Sequence, residues 1–281
     1  MINGDKSARG HFIPIVDRIK NLPFWFLALV LLGILAFLSI FADNNYSIIA
    51  KALGRGLGTT IYVSLIAYVF AAVLGLIWGL MRVSKLRVFR EISTFYIEIV
   101  RGVPMLVILY YIAFVGAPAL VDFMNFILKP LIKAGVLKAV SIRNMNFVWR
   151  AILALCLGYS AFIAEIFRAG IESIDAGQME AALALGMGRG KAMFKVILPQ
   201  AVRNVLPPLG NEFIAMIKDS ALVSALGVQD ITQLGKVYSA STFKFFETYN
   251  VVALLYLVMT ISLSMLIRFM EKRLARHKRS A

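Results

Sequence analysis

An all-α, polytopic membrane protein is the fold class this sequence predicts; two observations carry that reading and a third orients it. The 281 residues are 60% hydrophobic and only 16% charged, with mean hydropathy +0.81. Soluble domains run at about 45 to 50% apolar and about 25% charged. Four runs lack Asp, Glu, Lys and Arg altogether: 21–42, 56–81, 102–121 and 248–267. Each is close to, or longer than, the roughly 20 apolar residues that carry a helix across a bilayer.

The first run follows Lys6, Arg9, Arg18 and Lys20. It reads as an uncleaved span rather than a secretory signal, because its apolar stretch is long for a signal core and Ile40 stands at minus three if cleavage followed Ala42. Runs 56–81 and 102–121 are the second and third spans, and 248–267 is the last. Two weaker segments complete six helices. One covers about 148–173 and is interrupted by Glu165 and Arg168; the other covers about 204–227 and carries Glu212, Lys218 and Asp219. Between the third and fourth spans, 118–147 is apolar but broken by Pro130 and dotted with Lys129, Lys133 and Lys138. It suits a short helix lying on the outer membrane surface, or a docking surface for an extracytoplasmic partner. Trp25, Trp78, Trp149 and Tyr46 fit interfacial belts. Pro104, Pro207 and Pro208 are expected at kinks or helix starts.

The net charge of +15 is a topology signal. With the N-terminus inside, the cytoplasmic segments hold 19 Lys and Arg and the outer segments 8, the asymmetry expected of inside loops. Both termini are therefore expected in the cytoplasm. The expected layout is a cytoplasmic segment 1–23, a first span and outer loop 24–53, a transmembrane domain 54–270 and a basic tail 271–281. Insertion 117–147 and the cytoplasmic loop 173–203 belong to the transmembrane domain. Charge spread in this way excludes a nucleic-acid surface. One cysteine, Cys156, and two histidines near the termini, His11 and His277, cannot assemble a disulfide, a zinc site or a histidine-based catalytic centre. No nucleophile with a nearby base is visible for an intramembrane hydrolase, and no cofactor is expected on this chain.

Loop 173–203 is the most informative stretch. Asp175 suits a helix N-cap, with Gln178 at the third position of a capping box. Helix formers Met179 to Leu185 follow, up to the breaker Gly186, and the small Ala181, Ala182 and Ala184 leave the backbone approachable. Gly186, Gly188, Gly190 and Lys191 do not make a phosphate loop, since no strand precedes them and Ala192 stands where Ser or Thr is required.

Glu180-Ala181-Ala182, then Gly186, then Val196-Ile197-Leu198-Pro199 resembles the EAA signature of ABC-importer permeases, with Val196 in place of the usual Ile. Flanking residues are similar to the polar amino-acid uptake branch: Gly177-Gln178, Leu198-Pro199-Gln200-Ala201, Pro207-Pro208-Leu209, Asn211-Glu212-Phe213-Ile214 and Lys218-Asp219-Ser220-Ala221-Leu222. Gly58-Thr59-Thr60, Glu98, Arg101-Gly102-Val103-Pro104 and Ala164-Glu165-Ile166-Phe167-Arg168 fit the same branch. Val103, Phe162 and Ser220-Ala221 depart from its usual Thr, Tyr and Thr-Ser. The likeness runs from Gly54 to the C-terminus, with the first span and 117–147 as additions to a five-span core.

This resemblance implies a type I permease fold in the inner membrane of a prokaryote. It implies a second permease chain, two cytoplasmic ATPase subunits that use ATP and Mg, and an extracytoplasmic binding protein that delivers the amino acid. Gln178, Glu180, Ala181, Ala182, Gly186, Leu198 and Pro199 would form the coupling segment seated on an ATPase. An ion-coupled carrier is the rival reading, for which the intramembrane carboxylates would be coupling sites, but the EAA loop has no purpose there.

Charge inside hydrocarbon is costly and needs a partner or a function. Glu98 with Arg101, and Glu165 with Arg168, have the i, i+3 spacing of partners on one helix face. They suit core ion pairs or substrate contact. Lys218, Asp219 and Ser220 fall about fourteen residues into a span, near mid-membrane depth at about 1.5 Å per residue. They either line the path, which a discontinuity in that helix would favour, or satisfy one another, Lys218 pairing with Asp219 or Glu212.

Overall fold

Small residues at helical spacing set the architecture. The computed structural model describes residues 44–278, with positions 24, 31, 33 and 38 ahead of them. The expected first span and segment 1–23 therefore lie outside the continuous described region. The first long helix, α1 (Asn44–Arg82), buries Gly56, Ser64, Ala67, Ala71, Gly75 and Gly79 along one stripe. Its main partner, α6 (Phe147–Glu172), answers with Ala151, Ala154, Gly158, Ser160, Ala161 and Ala164. Lipid tails are as apolar as leucine, so helix association in a membrane depends on close backbone approach across such residues. A Cβ on Gly75 would lie 2.5 Å from Ile163 Cγ2, and one on Gly79 2.9 Å from the Ala164 carbonyl oxygen.

Around this pair the chain runs as α2 (Arg87–Gly102), α3 (Met105–Tyr111), a π-helical turn (Ile112–Gly116), α4 (Ala117–Ile127) and the one-turn α5 (Lys129–Lys133). After α6 come α7 (Ala176–Ala184), α8 (Arg189–Ala192), a π-helical turn (Met193–Ile197) and α9 (Leu198–Asp219). A 3₁₀ segment (Ser220–Leu226), α10 (Ile231–Thr242) and α11 (Phe245–Lys278) complete the chain. The described residues contain no strand.

Four described helical stretches are long and apolar enough to cross a membrane: Asn44–Arg82, Met105–Ile127, Phe147–Glu172 and Phe245–Glu271. The expected fifth span, α9, is long enough but carries Arg203, Glu212, Lys218 and Asp219 and is not among them. It begins at Leu198, six residues before the expected start at 204, and gives way to 3₁₀ geometry at Ser220.

Several boundaries differ from expectation, each for a local reason. Residues 44–53, expected in an outer loop, are helical because Ile49 and Leu53 pack against Ile231, Val251 and Val252. Helix α1 is consequently 39 residues long, about 58 Å, roughly twice the thickness of the hydrocarbon layer. The third span starts only at Met105, because Val103 and Pro104 are extended: a residue before proline is pushed out of the α region. Glu98 and Arg101 accordingly lie on the separate α2. At Pro118 no break occurs. The preceding π turn leads into α4 with the proline in its first turn, where a missing N–H costs little. Segment 117–147 is therefore first a continuation of the third span and then a return, tied by Asn125 to both backbone groups of Val140 at 2.8 and 2.9 Å. Pro104 does start a helix, whereas Pro207 and Pro208 lie inside α9.

Hydroxyl groups bridge the helices where backbone carbonyls are free to accept. Ser93 Oγ donates to the Trp78 carbonyl at 2.6 Å, Tyr96 OH to the Leu157 carbonyl at 2.8 Å, and Tyr68 OH to the Leu209 carbonyl at 2.7 Å. Trp78, expected in an interfacial belt, stacks on Tyr96 with centroids 4.4 Å apart, inside the α1–α2 contact.

Glycine substitutions separate packing from propensity. Gly75→Ala is expected to destabilise the protein by about 1–3 kcal/mol through overpacking. Gly54→Ala, where a Cβ meets nothing within 4 Å, is expected to be neutral or stabilising by up to about 1 kcal/mol. Thermal unfolding of the purified variants in detergent measures both.

Candidate functional site

Loop 173–203 folds as two helical pieces joined by a glycine turn. Asp175 caps α7, its Oδ1 accepting from the Gly177 N–H at 2.6 Å. The reciprocal half of the expected capping box is not made: the Gln178 side chain faces Gln200, whose Nε2 donates to Gln178 Oε1 at 3.4 Å. Gly186, at φ +78°, ends α7. Its N–H bonds the Leu183 carbonyl and the Met187 N–H bonds the Ala182 carbonyl, the Schellman closure that needs a left-handed residue. Glu180 and Ala181 are exposed while Ala182 is buried. Leu185 at 83% exposure and Phe194 at 72% leave an apolar surface beside the turn. Leu198 and Pro199 open α9 directly after the π turn.

A cavity of about 690 Å³ opens between α6 and α9 where this loop leaves the bundle. Glu165, Gly170 and Ser173 line it from α6 and its C-cap, Asn204, Pro207 and Glu212 from α9, and Arg101 from the end of α2. Two prolines in succession strip the Arg203 and Asn204 carbonyls of their α-helical N–H donors, and all four residues line the cavity.

The charges around the cavity pair differently from the i, i+3 expectation. Arg168 does pair with Glu165, its Nε 3.0 Å from both carboxylate oxygens, and also with Glu172. Glu98 does not pair with Arg101. It meets Arg82 Nη2 of α1 at 3.0 Å, and Arg82 Nη1 lies 3.2 Å from Glu165. A single guanidinium thereby links α1, α2 and α6. The pair forms between helices: Arg82 closes α1, and Glu98 stands sixteen residues further along on α2. Arg101 is left over the Phe162 ring, 5.7 Å from its centroid. Among the described residues no ion pair within 4 Å involves Arg101, Glu212, Lys218 or Asp219.

Neither does Lys218 pair with Asp219 or Glu212: Lys218 is exposed, and Asp219 Oδ2 accepts from Tyr159 OH at 2.8 Å. Ser220 is buried, its Oγ bonded to the Ile217 carbonyl at 2.7 Å where α9 becomes 3₁₀. Of the residues expected at the path, Arg101, Glu165 and Glu212 share the cavity, Glu98 and Arg168 support it through ion pairs, and Lys218 stands apart.

Three residues with structural roles were not singled out beforehand. Arg82 joins Glu98 and Glu165 across three helices. Arg150 holds the return segment, donating to the Met145 and Ile142 carbonyls at 3.0 and 2.9 Å. Asp230 is fully buried, caps α10 by accepting from the Gln233 N–H at 2.8 Å, and accepts from Tyr256 OH at 3.2 Å. Burial pushes the Asp230 carboxyl above its ordinary pKa, and these donors pull it back. Its backbone packs on Gly56, where a Cβ would lie 2.6 Å from the Asp230 carbonyl carbon, a contact that the alternating Gly54, Gly56 and Gly58 do not single out in the sequence. No group of His, Cys, Asp and Glu among the described residues is arranged to hold a metal.

An apolar helical bundle with a charged cavity between helices and a short capped helix at its mouth defines an integral-membrane permease. The chain belongs to the family of inner-membrane components of binding-protein-dependent transport systems, the ABC-importer permeases, whose match covers residues 71–279. It is 37% identical over 226 residues to the probable amino-acid permease protein YxeN of Bacillus subtilis, covering 80% of this chain and 92% of that one. It is 36% identical to the probable glutamine ABC transporter permease protein GlnM of the same organism, over 76% of this chain and 89% of the relative. A solved amino acid ABC transporter with histidines matches with TM-score 0.66 and 36% identity, over 79% of this chain and 94% of that chain. An alginate importer matches at TM-score 0.58 and 13% identity, over 92% of this chain and 93% of that chain, a likeness of fold.

Arg82→Gln should cost about 1–2 kcal/mol, since it leaves the Glu165 carboxylate short of a partner in a half-buried site. Arg87→Gln, whose i, i+4 pair with Glu91 is exposed, should change stability by less than about 0.5 kcal/mol. Unfolding midpoints of the two variants give the comparison.

Proposed function

We propose that this chain is the translocating permease of an ATP-driven importer for polar or charged amino acids, working by alternating access. The observation that carries the proposal is loop 173–203: a capped, exposed helix with the EAA residues, closed by a glycine turn and standing at the mouth of a charged cavity. Relatives named as amino-acid and glutamine permeases support the substrate class. In this reading the chain spans the inner membrane of a prokaryote with both termini in the cytoplasm, pairs with a second permease chain and carries out no catalysis. Two ATPase subunits bind and hydrolyse ATP with Mg, and an extracytoplasmic binding protein delivers the amino acid.

The mechanism follows from where the loop sits. Gln178, Glu180, Ala181, Ala182 and Gly186, with Leu198 and Pro199 behind them, offer α7 to a groove on the ATPase. ATP-driven closure of the two ATPases then moves α7, and the helices that leave it move as bodies between inward-open and outward-open states. A ligand that binds one state better shifts the population towards it. At the cavity, Arg101 and Glu212 are charges of opposite sign that make no ion pair within 4 Å among the described residues. A zwitterionic amino acid supplies the complement to both, its carboxylate for Arg101 and its ammonium for Glu212. Asp219, held by Tyr159, lies about two turns further along α9 from Glu212. The domain layout follows: a transmembrane unit that opens with α1 at Asn44 and runs to 270, with 173–203 as its coupling loop and the return after Ile127 as its outer insertion.

Two experiments test the reading. Glu180→Lys and Gly186→Val should lower co-purification of the ATPase subunits and amino-acid uptake together; undiminished association and uptake in both would overturn the coupling assignment. Arg101→Gln and Glu212→Gln should each reduce uptake roughly ten- to hundred-fold with assembly intact, the loss expected for a charged hydrogen bond, and Lys218→Ala should lower uptake or alter selectivity. Normal uptake in the first two would remove the cavity from the path, and normal uptake in the third would remove Lys218.

A further inference from the structure

The loop and the cavity share two residues. Ser173, the C-cap of α6, and Asn204, in the second turn of α9, are the stems from which loop 173–203 departs, and both line the cavity. Asn204 Nδ2 donates to Ser173 Oγ at 2.9 Å, and Ser173 Oγ donates its own proton to the Gly170 carbonyl at 2.8 Å. The hydroxyl's single proton is thus committed within α6, and its lone pair is presented to α9. One turn further into the bundle the two helices are in contact: a Cβ on Gly170 would lie 2.0 Å from Val205 Cγ1. The loop itself is tied together by the Gln178–Gln200 contact and by the buried Ala182, Ala192 and Ile197.

We infer that Ser173 and Asn204 are positioning residues that keep the two stems moving together, so that displacement of α7 pivots α6 against α9 at Gly170–Val205 and changes the cavity. This rests on the coupling reading above. Without the bond, movement of α7 is absorbed by separate fraying of the C-terminus of α6 and the start of α9. The π turn at Met193–Ile197 adds a second compliant point on the α9 side, since such turns are irregular and under-bonded. Transport variants at this pair therefore lose transmission rather than affinity.

The test uses the assembled complex with its ATPases in proteoliposomes and a substrate-free probe. Ala169 is exposed and lines the cavity, so Ala169→Cys reports the cavity by its rate of labelling with N-ethylmaleimide; the native Cys156 is 4% exposed and does not compete. In the otherwise unaltered chain, trapping the ATPases with ATP and vanadate should change the labelling rate. With Asn204→Ala, and with the milder Ser173→Ala, the ratio of trapped to untrapped rates should fall to about one while ATPase co-purification and trapping persist. The double variant should be no worse than either single one, as expected for two partners in one interaction, and Asn204→Gln, which keeps an amide donor, should retain most of the ratio. A full ratio in Asn204→Ala and Ser173→Ala would overturn the role of this pair alone. No rate change on trapping in the unaltered pair would overturn the coupling reading, and this inference with it.

Discussion

Unpaired charge in hydrocarbon is the constraint on which the rest of this structure depends, and the chain meets it at one junction. Arg82 ends α1 between Glu98 of α2 and Glu165 of α6, and Arg168 and Glu172 extend the network along α6. With both carboxylates engaged from one side, α2 is held against the α1–α6 pair, and its last turn presents Arg101 to the cavity. Small residues make the α1–α6 contact close enough for Arg82 to reach both partners: a larger side chain at Gly75 or Gly79 would separate the helices just above the network. Packing and electrostatics are therefore one arrangement, in which neither holds without the other.

That arrangement gives the cavity its character. Charges placed in pairs are spent on holding helices, whereas Arg101 and Glu212 have no ion partner within 4 Å among the described residues and face the same space. The double proline at Pro207 and Pro208 adds to the wall, leaving the Arg203 and Asn204 carbonyls without their α-helical donors. At the cavity mouth the wall is made by the stems of loop 173–203, so a movement of the loop is at once a movement of the wall.

The sequence read well where local chemistry decides and less well where contacts between helices decide. The apolar runs that became α1, α6 and α11, the Asp175 cap, the Gly186 stop and the Glu165–Arg168 pair were all legible, because each depends on neighbours within a few residues. Partner choice for Glu98 was not: i, i+3 spacing favours Arg101, but the contact is made by Arg82, sixteen residues away at the end of another helix. Pro207 and Pro208 lie inside α9, as proline can in a membrane helix whose neighbours support the freed groups. The link between Ser173 and Asn204 had no local signature, because thirty residues of loop separate them.

The central claim is that α7 transmits ATP-driven movement to a path between these helices. Uptake of amino acids into vesicles carrying the complete complex tests it most directly, with ion gradients held fixed and ATP supplied to, or withheld from, the side of the membrane on which loop 173–203 lies. Uptake that requires ATP and is unchanged when the gradients are collapsed is the predicted result. Uptake that follows an imposed ion gradient and ignores ATP would contradict the account.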